Sequence, residues 1–256
     1  MKSMNGFYNG YRQKRLYDSK SKEPFTISRS KIDLFLECAR CFYLDRKLGI
    51  SRPNLPAFSL NSAVDALLKK EFDLLRKSKK AHEIMKKYKI DAIPLDHPKL
   101  HEWRDDIYRY IGASVIDEKT NFKVTGIVDD IWIDKNNKFM IVDYKSTSTS
   151  KEISLEDKWK QGYKKQMEVY QWIFRKMGFQ VSDIGYFVFA NASKNREKFD
   201  GKLEFILSIL SYRGNDTWVQ PALNGIKKCL DSDRIPTSGR DCEYCKFANE
   251  FSKKIK

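Results

Sequence analysis

Three charged side chains within a short stretch have the types and the spacing to bind a cation and contact a phosphate group. Asp129 lies in an apolar run that begins at Gly126, and Asp143 and Lys145 end the apolar run 140–142. A polar Asn-Asn turn separates the two runs, which predicts a β-hairpin. Because side chains alternate between the faces of a strand, Asp143 and Lys145 share a face, and pairing can bring Asp129 next to them.

The setting of Asp143 strengthens this interpretation, although acidic residues at strand ends are also common without such a role. A charge at the end of a buried strand is costly unless it is paired or bound to a metal. After Lys145, the polar segment Ser-Thr-Ser-Thr-Ser is suited to contacting phosphates. Further along, Gln166 and Tyr170 are four residues apart on a predicted helix, so they lie on one helical face.

The chain resembles the PD-(D/E)XK nucleases, and in particular the RecB-like branch that includes the CRISPR-adaptation exonucleases. The resemblance covers a core from about residue 124 to residue 170 and rests on three motifs in the expected order: Gly126-x-x-Asp129, Asp143-Tyr144-Lys145-Ser146 and Gln166-x-x-x-Tyr170. It implies an α/β fold in which helices flank a mixed central sheet, as in restriction endonucleases.

The resemblance also implies roles for the core residues. Asp129 and Asp143 would be metal ligands, and the backbone carbonyl of Tyr144 would be a possible further ligand. Lys145 would orient or deprotonate the attacking water, or stabilise the charge that develops on the phosphate. Mg²⁺ or Mn²⁺ suits such a site, because these ions prefer oxygen ligands and keep bound waters, one of which can act as the nucleophile.

Side chains on two helices complete the implied site. Gln166 and Tyr170 would support the site or contact the DNA backbone. RecB-like enzymes usually place a His ligand on an upstream helix, but the corresponding helix here, 61–72, contains no His, and Asp65 falls at that position. Asp65 is therefore either an oxygen ligand for Mg²⁺ or Mn²⁺, or an ordinary exposed helix residue.

Composition favours a polyanionic partner. The 256 residues carry 49 Lys and Arg against 34 Asp and Glu, a formal net charge of +15. A basic balance of this size suits nucleic acid, and the nuclease-like core favours DNA, although a Lys-rich source organism is the alternative explanation.

No run approaches the ~18 apolar residues of a membrane span. The first residues contain no apolar signal segment, so we expect a cytoplasmic protein without a membrane partner.

Four of the five cysteines form two Cys-x-x-Cys pairs, Cys38 with Cys41 and Cys242 with Cys245. In an intracellular protein such pairs are metal ligands more often than disulfides, and four thiolates suit Zn²⁺ or a [4Fe–4S] cluster. Either would act as a clasp that joins the chain ends. Several RecB-like nucleases hold a [4Fe–4S] cluster with one cysteine before the core and three after it. This resemblance favours the [4Fe–4S] cluster at the four cysteines, although two cysteines on each side of the core also suit zinc. The alternative is that the four thiols bind no metal.

The predicted organisation is a basic tail, 1–24, followed by one nuclease-like domain, 25–256. Within the domain we expect a helical region 25–110, a catalytic core 111–212, and a C-terminal helix and cysteine segment 213–256. A helix that begins near Ile27 is expected to carry Cys38 and Cys41 on one face. Further helices are predicted at 61–77, 156–177 and 215–230, and strands at 113–117, 123–133, 139–144, 185–190 and 203–212.

The predicted function is a metal-dependent deoxyribonuclease that hydrolyses phosphodiester bonds, with exonuclease favoured over endonuclease. Two alternatives use the same fold. One is a catalytically inactive module that binds nucleic acid, and the other is a metal-stabilised scaffold for protein partners. The sequence leaves open the strand preference, the polarity and the pathway, with DNA repair among the candidates.

Overall fold

The computed structural model describes residues 16–53, 59–104, 112–157 and 160–255. Most of the predicted tail, 1–15, lies outside the described residues. The chain divides into two compact units. Unit 1 comprises Met1–Leu55, Ile116–Val124 and Thr217–Lys256, and unit 2 comprises Pro56–Val115 and Thr125–Asp216. The expectation of one nuclease-like domain over 25–256 stays a prediction.

The described residues form both strands and α-helices. The strands are β1 Phe25–Ser28, β2 Ala92–Pro94, β3 Ala113–Asp117, β4 Phe122–Gly126, β5 Asp130–Asp134, β6 Phe139–Thr147, β7 Ile184–Ala192 and β8 Phe205–Arg213. The helices are α1 Arg29–Glu37, α2 Ala39–Arg46, α3 Ser59–Ser78, α4 Glu83–Lys87, α5 Leu100–Arg104, α6 Gln161–Lys176, α7 Val219–Asp231 and α8 Glu243–Lys254.

Unit 2 is built around a mixed sheet with the strand order β2-β5-β6-β7-β8. Strands β6 and β7 pair in parallel, and the other neighbours pair antiparallel. Two parallel neighbours need a crossover connection, and α6 provides it. The structure therefore confirms the predicted α/β class with helices around a mixed sheet.

The two faces of this sheet receive different helices. Helix α3 places Leu68 and Phe72 in an apolar cluster with side chains of β5, β6 and β7, where the rings of Phe72 and Trp132 stack with centroids 5.6 Å apart. Helix α6 approaches the alternate face, because a side chain at Gly185 of β7 would overlap the sulfur of Met167. Alternation along β6 thus turns Val142 and Tyr144 towards α3 and turns Asp143 and Lys145 towards α6.

The predicted hairpin is confirmed as β5 and β6, with Ile131 opposite Ile141. Its turn places Asn137 at φ +59°, a left-handed conformation that Asn tolerates better than most residues. The prediction of a single strand at 123–133 was wrong. This segment forms two strands, β4 and β5, with a break at 127–129. The interruption frees Asp129 from the strand ladder, and its carboxylate accepts the Tyr144 backbone N–H at 2.8 Å.

Unit 1 contains α1, α2, α7 and α8, together with β1, most of β4 and the end of β3, strands that pair in the order β1-β4-β3. Its helices bury Ile32, Phe42 and Leu223 completely. The expectation of one helix through both Cys38 and Cys41 was wrong, because α1 ends at Glu37 and α2 begins at Ala39. Cys38 is extended there (φ −156°, ψ 100°) and caps α2, its sulfur accepting the Cys41 N–H at 3.5 Å.

In the described ranges, no helix combines the length with the apolar character that a bilayer span requires.

Candidate active site and cysteine site

The Asp-x-Lys motif of β6 forms a buried ion pair. The Asp143 side chain is fully buried, the Lys145 side chain is 15% exposed, and the Lys145 ammonium pairs with Asp143 Oδ2. Burial opposes the charge on Lys145, but Asp143 and then Asp129 raise its pKa above the ordinary value. The ammonium also lies 4.6 Å from the ring centroid of Tyr163, a cation–π contact. Lys145 is therefore held in its charged form.

Asp129 lies beside this pair, although it directly precedes β5 and is not on the paired strand, where the sequence had predicted it. Its Oδ2 accepts the N–H of Tyr144, the residue between Asp143 and Lys145, at 2.8 Å. Burial raises the pKa of Asp129 to about 6, and the charge of Asp143 adds to the increase. A cation bound beside Asp129 would offset both the burial and the repulsion by Asp143 that oppose its ionisation.

Gln166 and Tyr170 meet the same group from α6. Gln166 Nε2 donates to Asp143 Oδ1 at 2.8 Å and to the Tyr170 hydroxyl at 3.1 Å. Gln166 Oε1 is 3.5 Å from the Lys145 ammonium, so one amide contacts both members of the ion pair. The structure thus brings together Asp143, Lys145, Gln166 and Tyr170.

Close packing explains why the first motif has a glycine at position 126. A Cβ atom at Gly126 would overlap the aromatic ring of Tyr170. Tyr170 is 5% exposed, so its ring has little room to move. Gly126 therefore allows α6 to approach the end of β4 closely enough to place Gln166 on Asp143.

Helix α3 contributes Asp65, as the sequence suggested, and also Lys69. Burial and then the charge of Asp129 raise the pKa of Asp65, which identifies Asp65 as part of the same electrostatic group. Lys69 Nζ lies 2.9 Å from Asp65 Oδ2 and 3.8 Å from Asp129 Oδ1. Lys69 was not among the predicted residues. The only signal for it in the sequence is its place four residues after Asp65, on the same helical face.

The second acid of the Asp129-Asp130 pair has a different environment. Asp130 is fully buried on the α3 side, where Arg76 donates to Oδ1 at 2.6 Å and the Tyr144 hydroxyl donates to Oδ2 at 2.8 Å. The Tyr144 side chain therefore belongs to this internal network. A metal-binding role for the backbone carbonyl of Tyr144 stays a prediction.

The donor types at the site suit a hard divalent cation, although among the described residues only the four paired cysteines have ligand atoms that all lie within 4.8 Å of one another. Asp65, Asp129 and Asp143 supply carboxylate oxygens, the ligands that Mg²⁺ and Mn²⁺ prefer. The Asp65 side chain is 34% exposed and the Asp129 side chain 22% exposed, which leaves the group reachable from solvent. Lys69 and Lys145 reduce the negative charge of three acids to a small net value.

The four paired cysteines form a second, separate site within unit 1. Cys38, Cys41, Cys242 and Cys245 are all buried, and their sulfurs lie within 4.8 Å of one another. This confirms the predicted clasp, since residues about 200 positions apart are brought together. Burial opposes ionisation of Cys38, but the backbone N–H groups of Gly239 and Cys41 lower its pKa to about 6.

The sequence was compared with known proteins and solved structures. It matches the family model of the PD-(D/E)XK nuclease superfamily over residues 26–249. Among solved structures, it is similar to the crystal structure of SSO0001, with 15% sequence identity and a TM-score of 0.41 over 90% of this chain and 87% of that chain. No curated protein matches the sequence. The family match spans every predicted site residue and all four clustered cysteines.

Proposed function

This chain belongs to the PD-(D/E)XK nuclease superfamily, and from that premise we propose that it is a RecB-like deoxyribonuclease dependent on Mg²⁺ or Mn²⁺. The observation that carries the proposal is the buried Asp143–Lys145 pair with Asp129 beside it. The same residues belong to two of the three motifs by which the sequence resembles these nucleases.

Asp129 and Asp143 are the proposed metal ligands, with Asp65 completing the set from α3. A bound Mg²⁺ or Mn²⁺ would polarise the phosphate and lower the pKa of a coordinated water. Gln166 fixes the rotamer of Asp143 through the 2.8 Å hydrogen bond to Oδ1, which leaves Oδ2 directed to the Lys145 side of the site.

Lys145 is proposed to act as a cation. Its raised pKa keeps the ammonium charged beside the two acids, which favours the orienting and charge-stabilising roles over that of a base. An ammonium held by Asp143, Gln166 and the Tyr163 ring is positioned before substrate arrives. Such preorganised charge stabilises the negative charge that builds on a phosphate during hydrolysis.

DNA is the proposed substrate because of charge and resemblance together. The net charge of +15 provides the long-range attraction that a nucleic acid requires. The RecB-like motifs favour DNA and favour removal of nucleotides from an end over internal cleavage.

The test is cleavage of end-labelled single-stranded and double-stranded DNA with Mg²⁺ or Mn²⁺, wild type beside Lys145→Ala. We expect the wild type to shorten DNA from one end and the variant to lose at least about 100-fold in rate. The pattern of labelled products would give polarity and strand preference. Absence of cleavage by wild-type protein on every substrate with either metal would overturn the proposal.

One observation favours a second candidate, an inactive module that binds nucleic acid. The Lys69 ammonium lies between Asp65 and Asp129, where it can take the place of a metal ion. This candidate predicts DNA binding without cleavage, unchanged by Asp143→Ala. A DNA affinity that changes when Mn²⁺ is added, and only with Asp143 present, would count against it.

A further inference from the structure

We infer that Cys38, Cys41, Cys242 and Cys245 hold a single tetrahedral Zn²⁺ ion and that the site does not fit the [4Fe–4S] cluster of related nucleases. The inference rests on the geometry of unit 1 and does not depend on the proposed nuclease activity.

The sulfur spacing is that of a mononuclear site. Cys41 Sγ lies 3.6 Å from Cys242 Sγ and 3.6 Å from Cys245 Sγ, and Cys38 Sγ lies 3.8 Å from Cys245 Sγ. Tetrahedral Zn²⁺ with Zn–S bonds of about 2.3 Å places its sulfurs about 3.8 Å apart. Since all pairs lie within 4.8 Å, one ion at the centre can reach all four sulfurs.

The same spacing excludes the cluster. In a [4Fe–4S] cube each thiolate binds a different iron at a corner, and the four Fe–S bonds point outward. The thiolate sulfurs of a cluster are therefore farther apart than the sulfurs on one ion. Four sulfurs within 4.8 Å leave no room between them for the iron and sulfide atoms.

The two Cys-x-x-Cys pairs are built alike, which suits a tetrahedron. Cys38 precedes α2 and Cys242 precedes α8 as their N-caps, and Cys41 and Cys245 lie in the first turns of these helices. Each pair therefore presents two thiolates at the positive end of a helix. All four side chains are at most 7% exposed, as expected of a closed structural site without an open coordination position.

Neighbouring donors complete the site. The Gly239 N–H donates to Cys38 Sγ at 3.2 Å, and Arg52 Nη2 donates to Cys242 Sγ at 3.2 Å. Arg52 is itself fixed by Glu37 at 2.8 Å and by the Tyr244 ring at 4.5 Å. Four thiolates around a divalent ion leave net negative charge, and a positioned arginine offsets part of it.

The test is metal analysis of the full chain, expressed with both zinc and iron supplied and purified without oxygen or chelator. We expect one zinc ion per chain, little iron and a colourless protein. Cys242→Ser with Cys245→Ser should lose the zinc, and Cys229→Ser should retain it, since Cys229 lies on α7 outside the cluster. Replacement of zinc by Co²⁺ should give the intense visible bands of tetrahedral cobalt thiolate.

Three results would overturn the inference: iron with acid-labile sulfide, a single iron ion, or a chain with no bound metal. If the double serine variant fails to fold, the wild-type metal content and the cobalt spectrum still decide. None of these readouts depends on DNA cleavage, so a failure of the zinc site and a failure of the nuclease proposal are distinguishable.

Discussion

Asp129 and Asp130 are adjacent in sequence, but their carboxylates have different environments. Asp130 is fully buried, which raises its pKa, but it forms an ion pair with Arg76 and accepts a hydrogen bond from the Tyr144 hydroxyl, the arrangement of a structural ion pair. Asp129 has one backbone donor and a neighbouring acid, and its pKa is raised to about 6. A group with a raised pKa at a partly exposed site is a candidate for function.

The pKa of Asp129 predicts how metal affinity depends on pH. Above about pH 6 the carboxylate is ionised and available, and below it a metal ion must displace a proton. We expect the dissociation constant for Mn²⁺ to rise by up to about tenfold per pH unit below pH 6 and to level off above it. Calorimetric titration across this range measures the effect. Asp129→Asn should bind weakly without this dependence, and an equal dependence in the variant would contradict the assignment.

Lys69 is expected to compete with the metal. Lys69→Met removes an ammonium that lies 2.9 Å from Asp65 and 3.8 Å from Asp129, so Mn²⁺ should bind roughly fivefold more tightly. The matched control is Lys70→Met, an exposed neighbour on α3. Weaker Mn²⁺ binding by Lys69→Met, or equal affinities for both variants, would show that Lys69 does not occupy the metal position.

At the scale of elements, the site depends on how closely α6 approaches the sheet. Gln166 reaches Asp143, and Tyr170 accepts a hydrogen bond from Gln166, because Gly126 and Gly185 have no side chains in the path of the helix. The close packing of α6 on the sheet therefore depends on two glycines of the strands, whereas the side chains that contact the site lie on α6.

Substitution of Gly126 tests this dependence. Gly126→Ala places a methyl group against the buried Tyr170 ring, and we expect a loss of about 1–3 kcal/mol in the free energy of unfolding. Urea denaturation measures it, and the rate of DNA cleavage should fall as Gln166 moves. Gly162 lies on α6, where an added Cβ meets no atom within 4 Å, so Gly162→Ala should be neutral or stabilising by up to about 1 kcal/mol. Equal stabilities for the two variants would contradict the packing argument.

Elements with strong local periodicity were predictable from sequence. The strand expected at 113–117 has those bounds, and the helix expected at 61–77 is Ser59–Ser78. Strand β2 was not predicted, because it is three residues long and pairs with Asp134 more than 40 positions away. The break between α1 and α2 was also missed, since only the tertiary position of Cys38 reveals it.

In the candidate site too, some features were predictable from local periodicity and others were not. Alternation along β6 predicted the shared face of Asp143 and Lys145, and helical spacing predicted Gln166 with Tyr170. The place of Lys69 was not predictable, because it depends on how α3 packs beside Asp129. Local periodicity gives the members of one element, whereas contacts between elements require the folded chain.

At the scale of the whole molecule, the excess of positive charge predicts how DNA binding responds to salt. Each phosphate contact with Lys or Arg releases condensed counterions, so affinity falls as salt rises. We expect at least about a tenfold loss of affinity between about 50 mM and about 200 mM salt. Fluorescence anisotropy with a labelled oligonucleotide measures it, and a salt-independent affinity would contradict a DNA-binding role for the net charge of +15.

The most direct test of the central claim is DNA cleavage in Mn²⁺ by wild-type protein, Asp143→Asn and Asp134→Asn. Asp134 lies on the same hairpin but accepts the N–H groups of its own turn, so its variant is the matched control. We expect Asp143→Asn to lose at least about 100-fold in rate, while Asp134→Asn cleaves like wild type. Cleavage by Asp143→Asn at the wild-type rate, or DNA bound but not cut by wild-type protein, would contradict it.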